Sequence, residues 1–142
     1  MGLSNTSLPQ NEALKKRYGE VNSPTEGPWN DVVGAILSHR SVRSYKTETL
    51  PDFTIETLMA AAQSAATSSN MQVWSVVFTT DPDKKKKLAK ISGGQKHIEQ
   101  CPLFLVWLAD LSRNERLGNE EGVEMGVNPY VETFLVAAID AA

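Results

Sequence analysis

A chain of 142 residues has the size of one ordinary domain, and 41% hydrophobic residues suffice for a buried core. The net charge of -3 and a pI near 5.4 argue against general nucleic-acid binding, which draws on a basic surface. A single cysteine, Cys101, excludes an internal disulfide and fits a reducing cytoplasm, and no apolar run is long enough to span a membrane.

Residues 1–10 are polar, without the order of a signal peptide. Residues 11–18 read as a short helix capped by Asn11 and ended by Gly19. Ser23-Pro24 and Gly27-Pro28 mark a loop. Trp29, Val32, Val33, Ile36 and Leu37 then recur at helical spacing, which predicts a helix over 29–38 with a core-facing stripe.

That helix delivers the chain into Ser38-His39-Arg40-Ser41-Val42-Arg43-Ser44-Tyr45. Arg40 and Arg43 can each present a planar fork to paired oxygens, and Ser41 and Ser44 can donate single bonds beside them. This donor set suits a small multivalent anion, above all a phosphate. Basic residues at a helix end also stabilise the dipole and cap carbonyls without any ligand, so residue chemistry alone leaves both readings open.

Residues 52–66 predict a second helix, capped by Asp52 or Thr54, with Ile55, Leu58, Met59, Ala62 and Ala66 as its apolar stripe. It runs into Thr67-Ser68-Ser69-Asn70-Met71-Gln72, a dense set of small hydrogen-bonding groups that also suits a plain turn. β-branched and aromatic residues over 73–80 predict a mostly buried strand. Asp81-Pro82 opens a helix, with Lys84 to Lys87 as a solvated face and Leu88 and Ile91 packing inward. Gly93-Gly94 permits a tight turn before Gln95, Lys96 and His97, and a helical turn follows to Cys101. His97 and Cys101 stand four apart, too few ligands for zinc, so no metal site is expected.

Residues 103–109 are almost continuously apolar, as in a central strand covered on both faces. Ser112 and Glu115 form a capping-box pattern that opens a polar helix reaching about Gly118 or Gly122. Asn128-Pro129 starts the last helix, whose stripe of Val131, Phe134, Leu135, Ala138, Ile139 and Ala142 continues to the final residue. A helix still apolar at its end predicts an N-terminal part of a longer protein, or a surface that something else covers.

The segments 39–45, 66–72 and 93–97, with the apolar helix from 130, resemble the FMN-dependent nitroreductase family in order and spacing, most closely its oxygen-insensitive, NADPH-dependent nitroreductase and flavin reductase branch. The likeness runs from about Trp29 to the end. It implies an N-terminal arm over 1–28 and, over 29–142, the N-terminal part of a nitroreductase-like FMN-binding domain. The implied fold is α+β, a central mixed sheet flanked by helices, truncated after the start of the long central helix.

By the same resemblance, His39, Arg40, Ser41 and Arg43 bind the FMN phosphate and ribityl chain. Thr67, Ser68, Ser69 and Asn70 line the flavin ring, and Gln95 bonds its polar edge. No catalytic side chain is implied, because the cofactor carries the redox chemistry. The implied reaction passes a hydride from NADPH or NADH through FMN to a nitroaromatic, quinone or flavin. The implied protein is a cytoplasmic homodimer with no nucleic-acid or membrane partner, and the 142 residues alone are expected to be inactive. The competing reading is a non-catalytic or degenerate module that binds flavin or phosphate.

Overall fold

The computed structural model describes residues 8–20, 27–126 and 130–142. The chain divides into two compact units, Met1–Arg43 and Ser44–Ala142.

The first unit is a pair of helices. α1 spans Gln10–Tyr18 and buries Ala13 and Leu14. It starts behind Pro9, so Asn11 lies inside the helix and caps nothing. Its end is as expected: Gly19, at a φ of 81°, returns its N–H to the Lys15 carbonyl at 2.8 Å. α2 spans Asp31–Ser38, two residues shorter than the predicted helix, because Asn30 caps it by accepting from the Val33 N–H at 3.0 Å. The predicted stripe is only partly covered, with Trp29, Val33 and Leu37 half-buried. Val32 and Ile36 are exposed, and the one residue α2 buries is Gly34.

In the second unit, α3 spans Thr54–Gln63. Neither Asp52 nor Thr54 caps it through its side chain. Instead Phe53 turns left-handed at φ 62°, and the Thr54 hydroxyl donates to the Pro51 carbonyl at 2.6 Å. Its stripe is only half-buried, and Leu58 and Ala66 are exposed. A short 3-10 turn, Ser68–Asn70, follows.

β1 (Trp74–Thr79) and β2 (Phe104–Ala109) pair antiparallel, with Trp74 opposite Ala109 and Thr79 opposite Phe104. Val73, just before β1, is fully buried, and the Asp110 N–H extends the ladder to its carbonyl at 2.9 Å. The strands are less covered than their apolar runs predict. Val77, Phe78, Trp107 and Leu108 are all exposed. Trp74 and Trp107 pack ring to ring at 5.5 Å on one face.

Between the strands lie α4 (Pro82–Ile91) and α5 (Lys96–Gln100). Asp81 caps α4 as expected, accepting from the Asp83 and Lys84 N–H groups with Pro82 in the first turn. The lysine run is not wholly a solvated face. Lys85 is buried and donates its ammonium to the Cys101 carbonyl at 2.6 Å, whereas Ile91 is 80% exposed. Ala89 takes the inward place expected of Ile91.

α6 spans Ser112–Glu120, and α7 spans Val131–Asp140 and packs on both strands. The expected cap at Asn128 and Pro129 lies outside the described residues. α7 buries Thr133 and Ala137, while Val131, Phe134, Leu135 and Ile139 of the apolar stripe are exposed. The small face packs inward and the large apolar face is left open.

Candidate functional site

The nine expected site residues fall into three local groups. His39, Arg40, Ser41 and Arg43 belong to the first unit; Thr67, Ser68, Ser69, Asn70 and Gln95 belong to the second.

In the first unit, α2 ends at His39, whose N–H bonds the Ile36 carbonyl at 3.2 Å, and the backbone then runs extended. His39 and Arg40 are brought together in a groove of about 440 Å³, whose wall also carries Lys16 and Arg17 of α1. Arg17 donates from Nη1 to the His39 carbonyl at 2.7 Å, which ties α1 to the end of α2. Ser41 and Arg43 are exposed and do not line this groove.

In the second unit, residues 67–72 form a tightly wound turn. Ser69, Asn70 and Gln72 all have positive φ, at 51°, 54° and 49°. A left-handed conformation costs a non-glycine residue roughly 1–2 kcal/mol, so surrounding bonds must hold it. The Thr67 hydroxyl accepts from the Gln72 N–H at 3.3 Å, and Asn70 Oδ1 accepts from Gln72 Nε2 at 3.2 Å. Three side chains from distant sequence complete the clamp. Arg113 of α6 donates to the Gln72 carbonyl and, at 3.2 Å, to that of Trp74. Asn114 donates to the Met71 carbonyl at 2.9 Å. Asp140 of α7 accepts from the Ser68 N–H at 3.3 Å, and its other oxygen is buried with no partner among the described residues. Ser68, Ser69 and Asn70 themselves stay exposed.

The capping box expected at Ser112 and Glu115 is displaced. Ser112 is already helical, and Asp110 takes the capping role, accepting from the Ser112 N–H at 3.0 Å and the Ser112 hydroxyl at 2.6 Å. The Ser75 hydroxyl donates to its second oxygen. The Ser112 and Ser75 bonds hold the Asp110 carboxyl at about 2. This cap fixes the first turn of α6, from which Arg113 and Asn114 reach the 67–72 turn.

Gln95 makes its bond within its own turn. It follows Gly93 and Gly94, at φ 82° and 75°, and its Nε2 donates to the Ser92 carbonyl at 3.0 Å. Among the described residues no group of three or more His, Cys, Asp or Glu is placed to hold a metal.

The sequence matches the profile of the Nitroreductase family over residues 36–138. The chain belongs to the nitroreductase family. All nine candidate residues, and the Arg113 and Asn114 clamp, lie inside the matched stretch; α1 and Asp140 lie outside it. The chain is similar to the NADPH-dependent FMN reductase of Bacillus subtilis, 39% identical over 114 residues, covering 80% of this chain and 46% of that enzyme. It is also similar to the oxygen-insensitive NADPH nitroreductase of Salmonella typhimurium, 32% identical, covering 75% of this chain and 42% of that one. Among solved structures, NfrA2 of B. megaterium superposes with a TM-score of 0.76 at 38% identity, over 80% of this chain and 46% of that one. The fold is therefore the nitroreductase-like α+β fold, and this chain spans about half the length of the relatives it matches.

Arg113, Asn114, Asp140, Lys16 and Arg17 escape a reading of sequence spacing. The bonds of the first three cross 39 to 72 positions, and Arg17 reaches across 22. A polar Arg-Asn pair at the start of a helix gives no signal that its partner is a turn 40 residues earlier.

Proposed function

We propose that the protein bearing this sequence is an FMN-dependent oxidoreductase using NAD(P)H, with a nitroaromatic, quinone or flavin as electron acceptor. The observation that carries the reading is that all nine candidate residues fall within the stretch matching the nitroreductase family. The donor set also fits the cofactor. His39 and Arg40 offer N–H donors suited to the dianionic phosphate of FMN, and beyond the groove Ser41 adds a hydroxyl and Arg43 a second guanidinium. Ser68, Ser69 and Asn70 present exposed polar groups on a turn whose backbone is braced from behind.

In this reading the arginines bind the phosphate end and set the register of the ring. Thr67, Ser68, Ser69 and Asn70 line the ring, and Gln95 turns from the Ser92 carbonyl to its polar edge. Arg113, Asn114 and Asp140 touch no ligand; they hold the 67–72 turn in shape. Bound FMN would supply the redox chemistry, taking a hydride from reduced nicotinamide and passing reducing equivalents to the acceptor. No side chain need act as general acid or base.

The division of the chain follows: an N-terminal arm over 1–28, then the first part of the flavin domain over 29–142. The exposed apolar face of α7 suits burial against further chain or a second subunit, and we read the working form as a homodimer. The buried free thiol of Cys101 suits the cytoplasm. Because the matched relatives are about twice as long, the 142 residues alone hold part of the site and are read as inactive alone. Full-length protein should purify yellow and oxidise NADPH or NADH in the presence of a nitroaromatic or quinone. A colourless protein that leaves FMN fluorescence unquenched contradicts the reading.

A further inference from the structure

We propose that the groove between α1 and the end of α2 is a site for a phosphomonoester dianion, with Lys16 and Arg17 of the N-terminal arm as ligands beside His39 and Arg40. The four side chains line one groove of about 440 Å³, within the range of small-molecule sites. Ala13, Ala35 and Leu37 form part of its wall, so apolar surface flanks the four exposed donors.

The charge balance favours an anion. Two helix ends meet at the groove, each carrying roughly half a negative charge, and Asp31 adds one more. Lys16, Arg17 and Arg40 exceed that sum by about one charge before His39 is counted. Dipole stabilisation alone would explain basic residues in the last turn of α1, but these three side chains are set up differently from their neighbour. Lys15 is paired with Glu20 at 2.5 Å, whereas among the described residues none of Lys16, Arg17 and Arg40 is in an ion pair. Arg17 is also anchored, with one N–H on the His39 carbonyl at 2.7 Å, which leaves four further donors on its guanidinium.

α1 lies outside the stretch that matches the nitroreductase family, so this contribution belongs to the arm of this chain. In part the inference rests on the flavin reading, since His39 and Arg40 are shared. Two sources carry the same chemistry: the 5′-phosphate of FMN and the 2′-phosphate of NADPH.

The test compares full-length wild type with Lys16→Ala/Arg17→Ala, both being exposed positions. FMN and riboflavin affinity are read by fluorescence quenching, and KM for NADPH and NADH by steady-state kinetics. A loss of FMN affinity of threefold or more, with riboflavin unmoved, assigns the groove to the flavin phosphate. A rise in NADPH KM of threefold or more, with NADH unmoved, assigns it to the dinucleotide. Arg17→Lys, which keeps the charge, should recover part of either effect. Changes below threefold in both overturn the inference. If Arg40→Ala/Arg43→Ala then still weakens FMN, the flavin reading survives the loss of the arm. If wild type binds no FMN at all, the flavin reading falls and inorganic phosphate decides the groove by calorimetry. Phosphate binding that the arm variant loses supports the site, and binding that is absent or unchanged overturns it.

Discussion

Asp110 joins the end of β2 to the start of α6, and its charge is a stabilising element that acid should remove. Bonds from Ser112 and then Ser75 hold its carboxyl at about 2 against an ordinary 3.8. That difference corresponds to roughly 2.5 kcal/mol favouring the charged form. The carboxyl is still partly open to water, so screening trims the contribution to about 1 kcal/mol. Asp110→Asn in the full-length protein should therefore lower stability by about 1 kcal/mol at pH 7, or roughly 2–4 °C in Tm. Asp110→Ala, which also removes the cap, should cost about 1 kcal/mol more. A depressed carboxyl contributes fully above its unfolded value and loses that contribution as pH falls through the folded one. The gap between wild type and Asp110→Asn, read by urea denaturation, should hold from pH 7 to about 5 and close as pH falls from 3.8 towards 2. A gap that stays constant down to the lowest pH, or no gap at pH 7, would refute the assignment.

Gly118→Ala in α6 should destabilise, although alanine favours helices by about 1 kcal/mol. The added Cβ would stand 2.7 Å from the Val123 carbonyl oxygen and 2.9 Å from Met125 Cγ. Methionine can move, but that carbonyl belongs to the turn closed by the Val123 N–H to Gly118 bond at 2.7 Å. A net loss of about 1–3 kcal/mol is expected by chemical denaturation, and a gain would contradict the close approach. The Cys101 thiol should react slowly with a disulfide reagent in the native protein and quickly once unfolded. It is 4% exposed, and burial pushes its pKa up despite the Lys85 ammonium. Native reaction at the rate of a free thiol would show that this part of the core is open.

What the sequence discloses follows the range of the interactions. The α4 cap is legible because Asp81 and Pro82 act within four residues. The two strands, the places of the α-helices and the glycine turn are legible in the same way, from patterns within a few residues. Helical spacing finds the apolar faces of α2 and α7 but does not say whether a partner covers them. Val32, Ile36, Phe134 and Ile139 therefore point outward while Gly34 and Ala137 pack. The lysine run misleads because Lys85 satisfies the Cys101 carbonyl, a need no local pattern states. At α6, the helix starts one residue early for the Ser112 signal: the Glu115 N–H that a capping box would give to the Ser112 hydroxyl goes to the Leu111 carbonyl, and Asp110 holds the Ser112 N–H. The site shows the same division. The basic cluster at 39–43 and the polar turn at 67–70 stand out by composition, whereas the clamp from Arg113, Asn114 and Asp140 exists only after folding.

The most direct measurement is FMN affinity of full-length wild type against Arg40→Ala/Arg43→Ala, by fluorescence quenching with riboflavin alongside. Each lost charge-assisted bond costs roughly 1.5–3 kcal/mol, so the double variant should bind FMN about 100-fold more weakly or worse. Riboflavin, which lacks the phosphate, should bind both proteins alike. Equal FMN affinity in the two proteins would contradict the phosphate assignment on which the flavin reading is built.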